Sequence, residues 1–346
     1  MLVWLAAVAA AVPQPELRLH LGKVPMKGRT ICYPSGLSVH AVARPNTGVV
    51  AVSAIVDGGM AAEGPDETGA SRLAQQLWFQ ARAVGGVPVE QTLSGLAVDA
   101  FTLPDATVYV TVAAPSDLEH VLQIEGRRIA EPLAGIDASV FDAERSKVRV
   151  DTLWHGEQAA QRALEDGLWP DAFVYRSLVA QVADYDALTL EQVSAYVART
   201  YVPSGITLRI EGEVDLATID SVVEAAIPVE LRLGVDKGDC DHPPVGGDPP
   251  APTGGPPAEV TAGVLAPELS FGWSAPAGYG PTDVIGRAAA GWLTIRLAAL
   301  RPRGLDVTCA YEPRRRASVV TCRTPLPMAP AEATEAIGLA LRDLWV

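Results

Sequence analysis

The chain has 346 residues, 49 % of them hydrophobic, which is enough for two domains with cores of their own. Its formal net charge is −14 and its pI about 4.8, so its surface repels phosphate backbones and argues against a nucleic-acid partner. No stretch stays apolar for the ~20 residues that a membrane-spanning helix requires, so no transmembrane segment is expected.

Residues 2–12 are an unbroken apolar, Ala-rich run ahead of Pro13-Gln14-Pro15. With its Ala9-x-Ala11 pattern it reads as a signal peptide over 1–12, which implies a periplasmic or secreted protein, although the usual leading positive charge is missing. The other reading is a buried helical turn. Residues 30–33 and 37–43 read as short strands about the turn Pro34-Ser35-Gly36, and 49–56 as a nearly continuous apolar strand, as in a covered sheet. Asp57-Gly58-Gly59 ends that strand, and a polar loop leads to a helix over 69–80 that Gly85-Gly86-Val87-Pro88 terminates. Strands follow over 98–103 and 107–113.

Asp117 is placed to N-cap a helix through Ala130. A helical stretch over 137–168 has a break at Trp154-His155-Gly156. Thr189 and Gln192 form a capping-box pattern that opens a helix to Thr200. A turn at 201–205, a strand over 206–210 and a helix over 216–226 complete this part. Residues 236–259 are crowded with Pro and Gly and hold neither helix nor sheet, as a linker would. Beyond them come a strand over 264–274, a helix over 284–300, a hairpin about Glu312-Pro313-Arg314 and a helix over 331–344. Strand, loop and helix recur at 49–80 and 269–300, an order that any pair of α+β domains can offer.

Four cysteines stand at 32, 240, 309 and 322 without Cys-x-x-Cys spacing, so a structural zinc knuckle is not expected. Cys309 and Cys322 either pair across their hairpin in an oxidising compartment or are two small buried thiols.

The helix over 69–80 carries the functional argument. Its apolar residues Ala70, Leu73 and Leu77 recur at helical spacing, and Arg72 and Gln76, four apart, share a face with Gln75 beside them. With His at 72 and 76 and Glu at 75 the line would read His-x-x-Glu-His, a zinc-binding helix in the inverted order. None of the three positions is filled by those residues.

In this motif, and in a series of landmarks in order, the chain resembles the pitrilysin/insulinase family of inverted-motif zinc peptidases, in particular its short bacterial and mitochondrial-processing-peptidase-like members. The landmarks are Tyr33-Pro-Ser-Gly-Leu-Ser-Val39, the strand ending at Gly59, Phe141 to Asp151, Leu188-Thr-Leu-Glu-Gln-Val193, Tyr201-Val-Pro-Ser204 and Gly212-Glu-Val-Asp215. They match residues 30–225 well and 260–345 loosely.

The resemblance implies an α+β fold of two tandem metallopeptidase-like domains, each a mainly antiparallel sheet covered by helices. The domains expected are 28–232, complete, and 260–346, partial, joined by a Pro/Gly-rich linker over 233–259. It carries the family's zinc ligands onto Arg72, Gln76 and Asp151, and its general base onto Gln75. Gln76 and Asp151 are 75 residues apart, so the register holds while the chemistry departs. Arg has no lone pair to offer a metal, and Gln75 does not exchange a proton as a carboxylate does. Arg72 is expected either to pair with Asp151 in place of the metal or to reach solvent along its stem. Leu300-Arg-Pro-Arg-Gly-Leu-Asp-Val307 resembles the family's substrate-gripping stretch, with Arg301 as a vestigial substrate contact and Val307 where a Tyr is usual.

The other candidates are weaker. His20, His40, His120, His155 and His242 form no pair at ligand spacing, and neither a Gly-x-Ser-x-Gly elbow nor a phosphate loop is present. Arg314-Arg-Arg316 reads as a solvated basic turn, or as a contact for an acidic partner. The expectation is therefore a catalytically inactive homologue, without zinc. It would act as a non-catalytic partner of a competent family member or other envelope protein, or bind a peptide. The alternative is an active zinc metalloendopeptidase with a non-standard ligand set.

Overall fold

A computed structural model of the chain describes residues 2–3, 27–82, 85–155, 159–168, 177–233, 258–259, 267–275, 278, 281–315 and 317–344. Its elements in chain order are β1 (Leu2–Val3), β2 (Gly28–Cys32), β3 (Ser38–Ala43), β4 (Val50–Val56), α1 (Ala70–Gln80), α2 (Val89–Thr92), β5 (Ala97–Thr102), β6 (Thr107–Ala113), α3 (Leu118–Ala130), α4 (Ala138–His155) and α5 (Ala159–Leu168). There follow α6 (Val182–Ala187), α7 (Leu190–Thr200), β7 (Ile206–Gly212), α8 (Ile219–Ala226), α9 (Val229–Arg232), β8 (Ala258–Glu259), β9 (Glu268–Ala275), α10 (Pro281–Leu297), β10 (Thr308–Glu312), β11 (Ser318–Pro325) and α11 (Pro330–Arg342). The α+β expectation holds. Most of residues 1–12, expected as a signal peptide, and of 233–259, expected as a linker, lies outside the described residues; Leu2–Val3 pairs antiparallel with Ala258–Glu259.

The chain divides into two compact units. The larger comprises 16–150 and 183–242, the smaller 1–15, 151–182 and 243–346. The helical stretch after 150, counted with the first domain on sequence order, thus groups with the C-terminal segment. The physical reason is the packing of α5, described below.

The larger unit is built on a six-stranded sheet of order β2-β3-β7-β4-β6-β5. All its pairings are antiparallel except β3 with β7, which run parallel. β4 alternates: Val50, Val52, Ala54 and Val56 are fully buried while the residues between them are half-buried. In β7, Leu208 and Ile210 point to the core and Arg209 and Glu211 to the other face, where they pair with each other. Each buried Val, Leu or Ile contributes about 1.5–3 kcal/mol. α3 packs on β4 and β6, α1 on β5, and α7 and α8 on α1 and α3. Thr189 and Gln192 form the expected capping box on α7. Asp117 ends a 3-10 turn before α3 and makes no side-chain cap, so that helix starts without the bond its sequence suggests.

The smaller unit has a three-stranded antiparallel sheet of order β10-β11-β9. Leu269, Phe271, Leu297, Leu305, Val307 and Ile337 are among the residues of its main core. Cys309 and Cys322 face each other across the hairpin and form a disulfide. Cys32, in the larger unit, is also disulfide-bonded, and no cysteine is free among the described residues. α5 covers β9: Leu168 clusters with Ala317 and Val319, and Leu164 lies against Gly272. Glu165, fully buried, meets the Arg314 guanidinium at 3.0 Å, and Arg314 also pairs with Glu312. Gln161 bonds Glu165 and accepts from Arg323. The reading of Arg314 as a solvated turn residue is therefore corrected: it is 6 % exposed, because a carboxylate 149 residues earlier in the chain covers it. Arg316 lies outside the described residues.

Candidate functional site

α1 forms because Ala70, Leu73, Ala74, Leu77 and Trp78 place one apolar face on the core, and all five are buried. Its N-terminus has no Ser, Thr, Asp or Asn to cap it. Gly69 stands there at φ 91, with the Tyr185 ring 2.6 Å from where a Cβ would be, so glycine is required twice over. The cap comes from further back. The Glu63 carboxylate, 3 % exposed, accepts from the Gly69 and Ser71 N–H groups, each at 3.0 Å, and from the Ser71 hydroxyl at 2.6 Å. A carboxylate there also meets the positive end of the helix dipole.

The opposite face presents the motif positions. Gln75 is buried, at 2 % exposure, while Arg72 and Gln76 are half-buried. Both ends of the Gln75 amide are engaged. Oε1 accepts from Arg72 Nη1 at 2.9 Å and from the Thr102 hydroxyl at 2.5 Å. Nε2 donates to the Ala100 carbonyl at 3.2 Å. Gln75 therefore ties α1 to β5, the edge strand of the sheet.

These side chains floor an open cleft of about 500 Å³, lined also by Phe79, Gln80, Glu90, Asp99, Glu144 and Lys147. Lys147 donates to Glu144 at 2.6 Å, and Gln80 donates to Glu90 at 2.9 Å. α4, which carries Glu144 and Lys147, is held by Arg145, whose guanidinium donates to the Leu188 carbonyl at 2.9 Å, and by the Arg149–Asp186 pair at 2.6 Å. The structure thus brings Arg72, Gln75 and Gln76 together in the larger unit. Asp151 stands on α4, half-buried, and groups with the smaller unit. Arg301 is at the surface of the smaller unit, paired with Asp306 at 2.7 Å, with both side chains 61 % exposed. Such an exposed pair contributes little.

A buried polar and aromatic layer supports α1 from below. The Trp78 indole N–H donates to the Arg128 carbonyl at 2.9 Å, and the Arg128 guanidinium lies 4.0 Å from the Trp78 ring and 4.8 Å from that of Tyr109. Tyr109 and Tyr201 share a hydroxyl hydrogen bond at 2.8 Å, and Tyr196 donates to Gly58 O. Burial pushes the Tyr109 and Tyr196 hydroxyls well above their usual value and Tyr201 up to about 12, so all three remain neutral donors.

Zinc, which the sequence resemblance implies, does not fit this donor set. Arg72 is a permanent cation, Gln75 has neither a proton to exchange nor an uncommitted end, and Gln76 offers one amide oxygen. Among the described residues no three His, Cys, Asp or Glu side chains are grouped as a metal site would need. His40 bonds Thr30 on the sheet, and His120 is exposed on α3. His20 and His242 lie outside the described residues.

Sequence reasoning missed Glu63, Thr102 and the ion pair that Arg128 forms with Glu125, both fully buried on α3. For Glu63 a signal existed: a helix that starts at Gly-Ala-Ser without a capping side chain has its N–H groups to satisfy from elsewhere. For Thr102 none existed, since it meets Gln75 only once β5 lies beside α1.

No protein-family model matches the sequence, and no curated protein sequence matches it either. Solved structures do match. A protease from Helicobacter pylori superposes with a TM-score of 0.72 at 17 % identity, covering 91 % of this chain and 79 % of that one. An inactive M16 peptidase domain from Pseudomonas fluorescens gives 0.69 at 12 %, covering 92 % and 79 %. Pitrilysin gives 0.63 at 13 %, covering 93 % of this chain and 36 % of that one. At these identities the likeness is one of fold: the chain has the fold of the pitrilysin/insulinase-like M16 peptidases.

Proposed function

We propose that the chain is a catalytically inactive homologue of the inverted-motif zinc peptidases and serves as a non-catalytic, protein-binding subunit. The observation that carries this is the Gln75 amide. At the position of the general base it is buried, bonded at both ends, and used to fasten α1 to β5. A residue so committed is a structural tie and not a proton carrier. The neighbouring Arg72 cation opposes a divalent metal at the same place.

A binding role is supported by α10, which leaves Val284, Ile285, Trp292 and Ile295 exposed, on a helix whose apolar residues exceed what its own core takes up. The partner proposed is a catalytically competent relative. The compartment proposed is periplasmic or extracellular, supported by the Cys309–Cys322 disulfide and by bonded Cys32.

The direct test is to purify the full chain from zinc-supplemented cells, measure its metal content, and assay cleavage of a broad peptide mixture with and without chelator. Neither stoichiometric zinc nor chelator-sensitive cleavage is expected. Finding both would replace this reading with an active enzyme of unusual ligand set. Gentle isolation from the native cell tests the partner: a co-purifying relative with an intact His-x-x-Glu-His line supports it, and a chain that emerges alone removes it.

A further inference from the structure

We propose that Gln75 and Asp99 cap the free edge of the six-stranded sheet and close β5 to any strand that would add to it. Among the described residues β5 is the last strand of the sheet. At its hairpin end the Leu103 N–H donates to the Ala106 carbonyl. In an antiparallel pair the bonding residues alternate, so Phe101, Asp99 and Ala97 turn their backbone groups to β6, and Val98, Ala100 and Thr102 turn theirs to the open side. An open edge of this kind is a template for another chain, which bonds the N–H and C=O of one outward residue as a pair.

Ala100, the central outward residue, has both groups occupied by this chain's own side chains. Its N–H donates to Asp99 Oδ1 at 2.8 Å, and its C=O accepts from Gln75 Nε2 at 3.2 Å. Gln75 does not swing aside at little cost, because Arg72 and Thr102 hold its other end. The Asp99 carboxylate, on an exposed residue, adds a charge to the same edge. What the cleft recognises is then recognised through side chains of α1 and α4, by the surface of a folded partner, and not by pairing with an extended peptide. The capping geometry stands whether or not the chain proves to be a non-catalytic subunit; only the choice of a folded partner rests on that reading.

The probe is a fluorescent peptide that copies Thr107–Ala113, the natural neighbour of β5, flanked by Gly-Ser for solubility. Its binding to the full chain is read by anisotropy. Wild type and Gln123→Met, a change on the exposed face of α3 outside the cleft, should bind it equally weakly. Gln75→Met/Asp99→Ala, with both groups of Ala100 released, should bind about ten- to a hundredfold tighter. The Ala100 amide should then exchange more slowly with peptide bound, and a peptide with Pro at its centre should gain nothing. Wild type binding as tightly as the double variant would overturn the proposal, as would a folded double variant that gains nothing. Should the double variant fail to fold, Asp99→Ala alone, on the surface, frees the N–H and should still gain severalfold; no gain there rejects the cap. The zinc and cleavage assays are independent of this result.

Discussion

Arg128→Met addresses the layer on which α1 rests. Arg128 and Glu125 are both fully buried on α3 and joined by three hydrogen bonds of 2.5–3.1 Å. The guanidinium also faces the Trp78 and Tyr109 rings, and Trp78 belongs to α1. Methionine fills the space of the stem but removes the charge, which leaves the Glu125 carboxylate buried without a counter-ion. Breaking a pair in this way costs about 3–5 kcal/mol, a large part of the roughly 5–15 kcal/mol that holds a domain together. Removing both charges removes the uncompensated group, so Glu125→Leu/Arg128→Met should lie near wild type or up to about 4 kcal/mol above it. Urea unfolding followed by tryptophan fluorescence reads both, and adding Glu125→Leu alone completes the double-mutant cycle that gives the coupling. A cost below about 1 kcal/mol for Arg128→Met, or a double variant less stable than either single one, would refute the picture of a dry ion pair under the cleft.

Glu63→Ala removes the acceptor of three hydrogen bonds at the start of α1 and should cost about 2–3 kcal/mol, with faster amide exchange over the first turn of that helix. Burial and the nearby Arg209 guanidinium hold His40 below its ordinary 6.5. The unfolded chain therefore takes up the proton first, and His40 contributes stability above about 6.5 that declines as the pH falls through that value. His40→Gln should flatten the slope of stability against pH below about 6.5, and an unchanged slope would show that His40 does not cause it. Cys309→Ala/Cys322→Ala opens a cross-link of sequence separation 13 and should destabilise the smaller unit by about 3 kcal/mol. Reductant should lower the melting temperature of wild type by more than that of the variant, in which only the disulfide of Cys32 is left to reduce.

Much of the element order was legible from local pattern. β4 and β6 follow the apolar runs expected of them, the helix at 70–80 follows its spacing of Leu73 and Leu77, and the Thr189 capping box forms as written. The short helices α2, α6 and α9 escaped, because four to six residues carry too little periodicity to stand out. The residue types at 72, 75 and 76 were legible too, since they are visible in the line itself. What Gln75 does was not legible. A glutamine in that line says only that no carboxylate stands there; its bond to Ala100 exists because an edge strand 25 residues away is laid against the helix.

Local properties are carried by neighbouring residues and survive as sequence: helix spacing, strand alternation, caps, turns and the absence of metal donors from one helical turn. The tertiary structure alone decided which distant groups meet. It laid β3 parallel to β7, buried Arg314 against Glu165, grouped α5 with the C-terminal sheet, and gave the cap of α1 to a carboxylate in the preceding loop. The physical reason is common to all four. A buried charge, an orphaned helix N–H or an open sheet edge has to be satisfied, but its partner is chosen by packing in space, and separation along the chain does not record that choice.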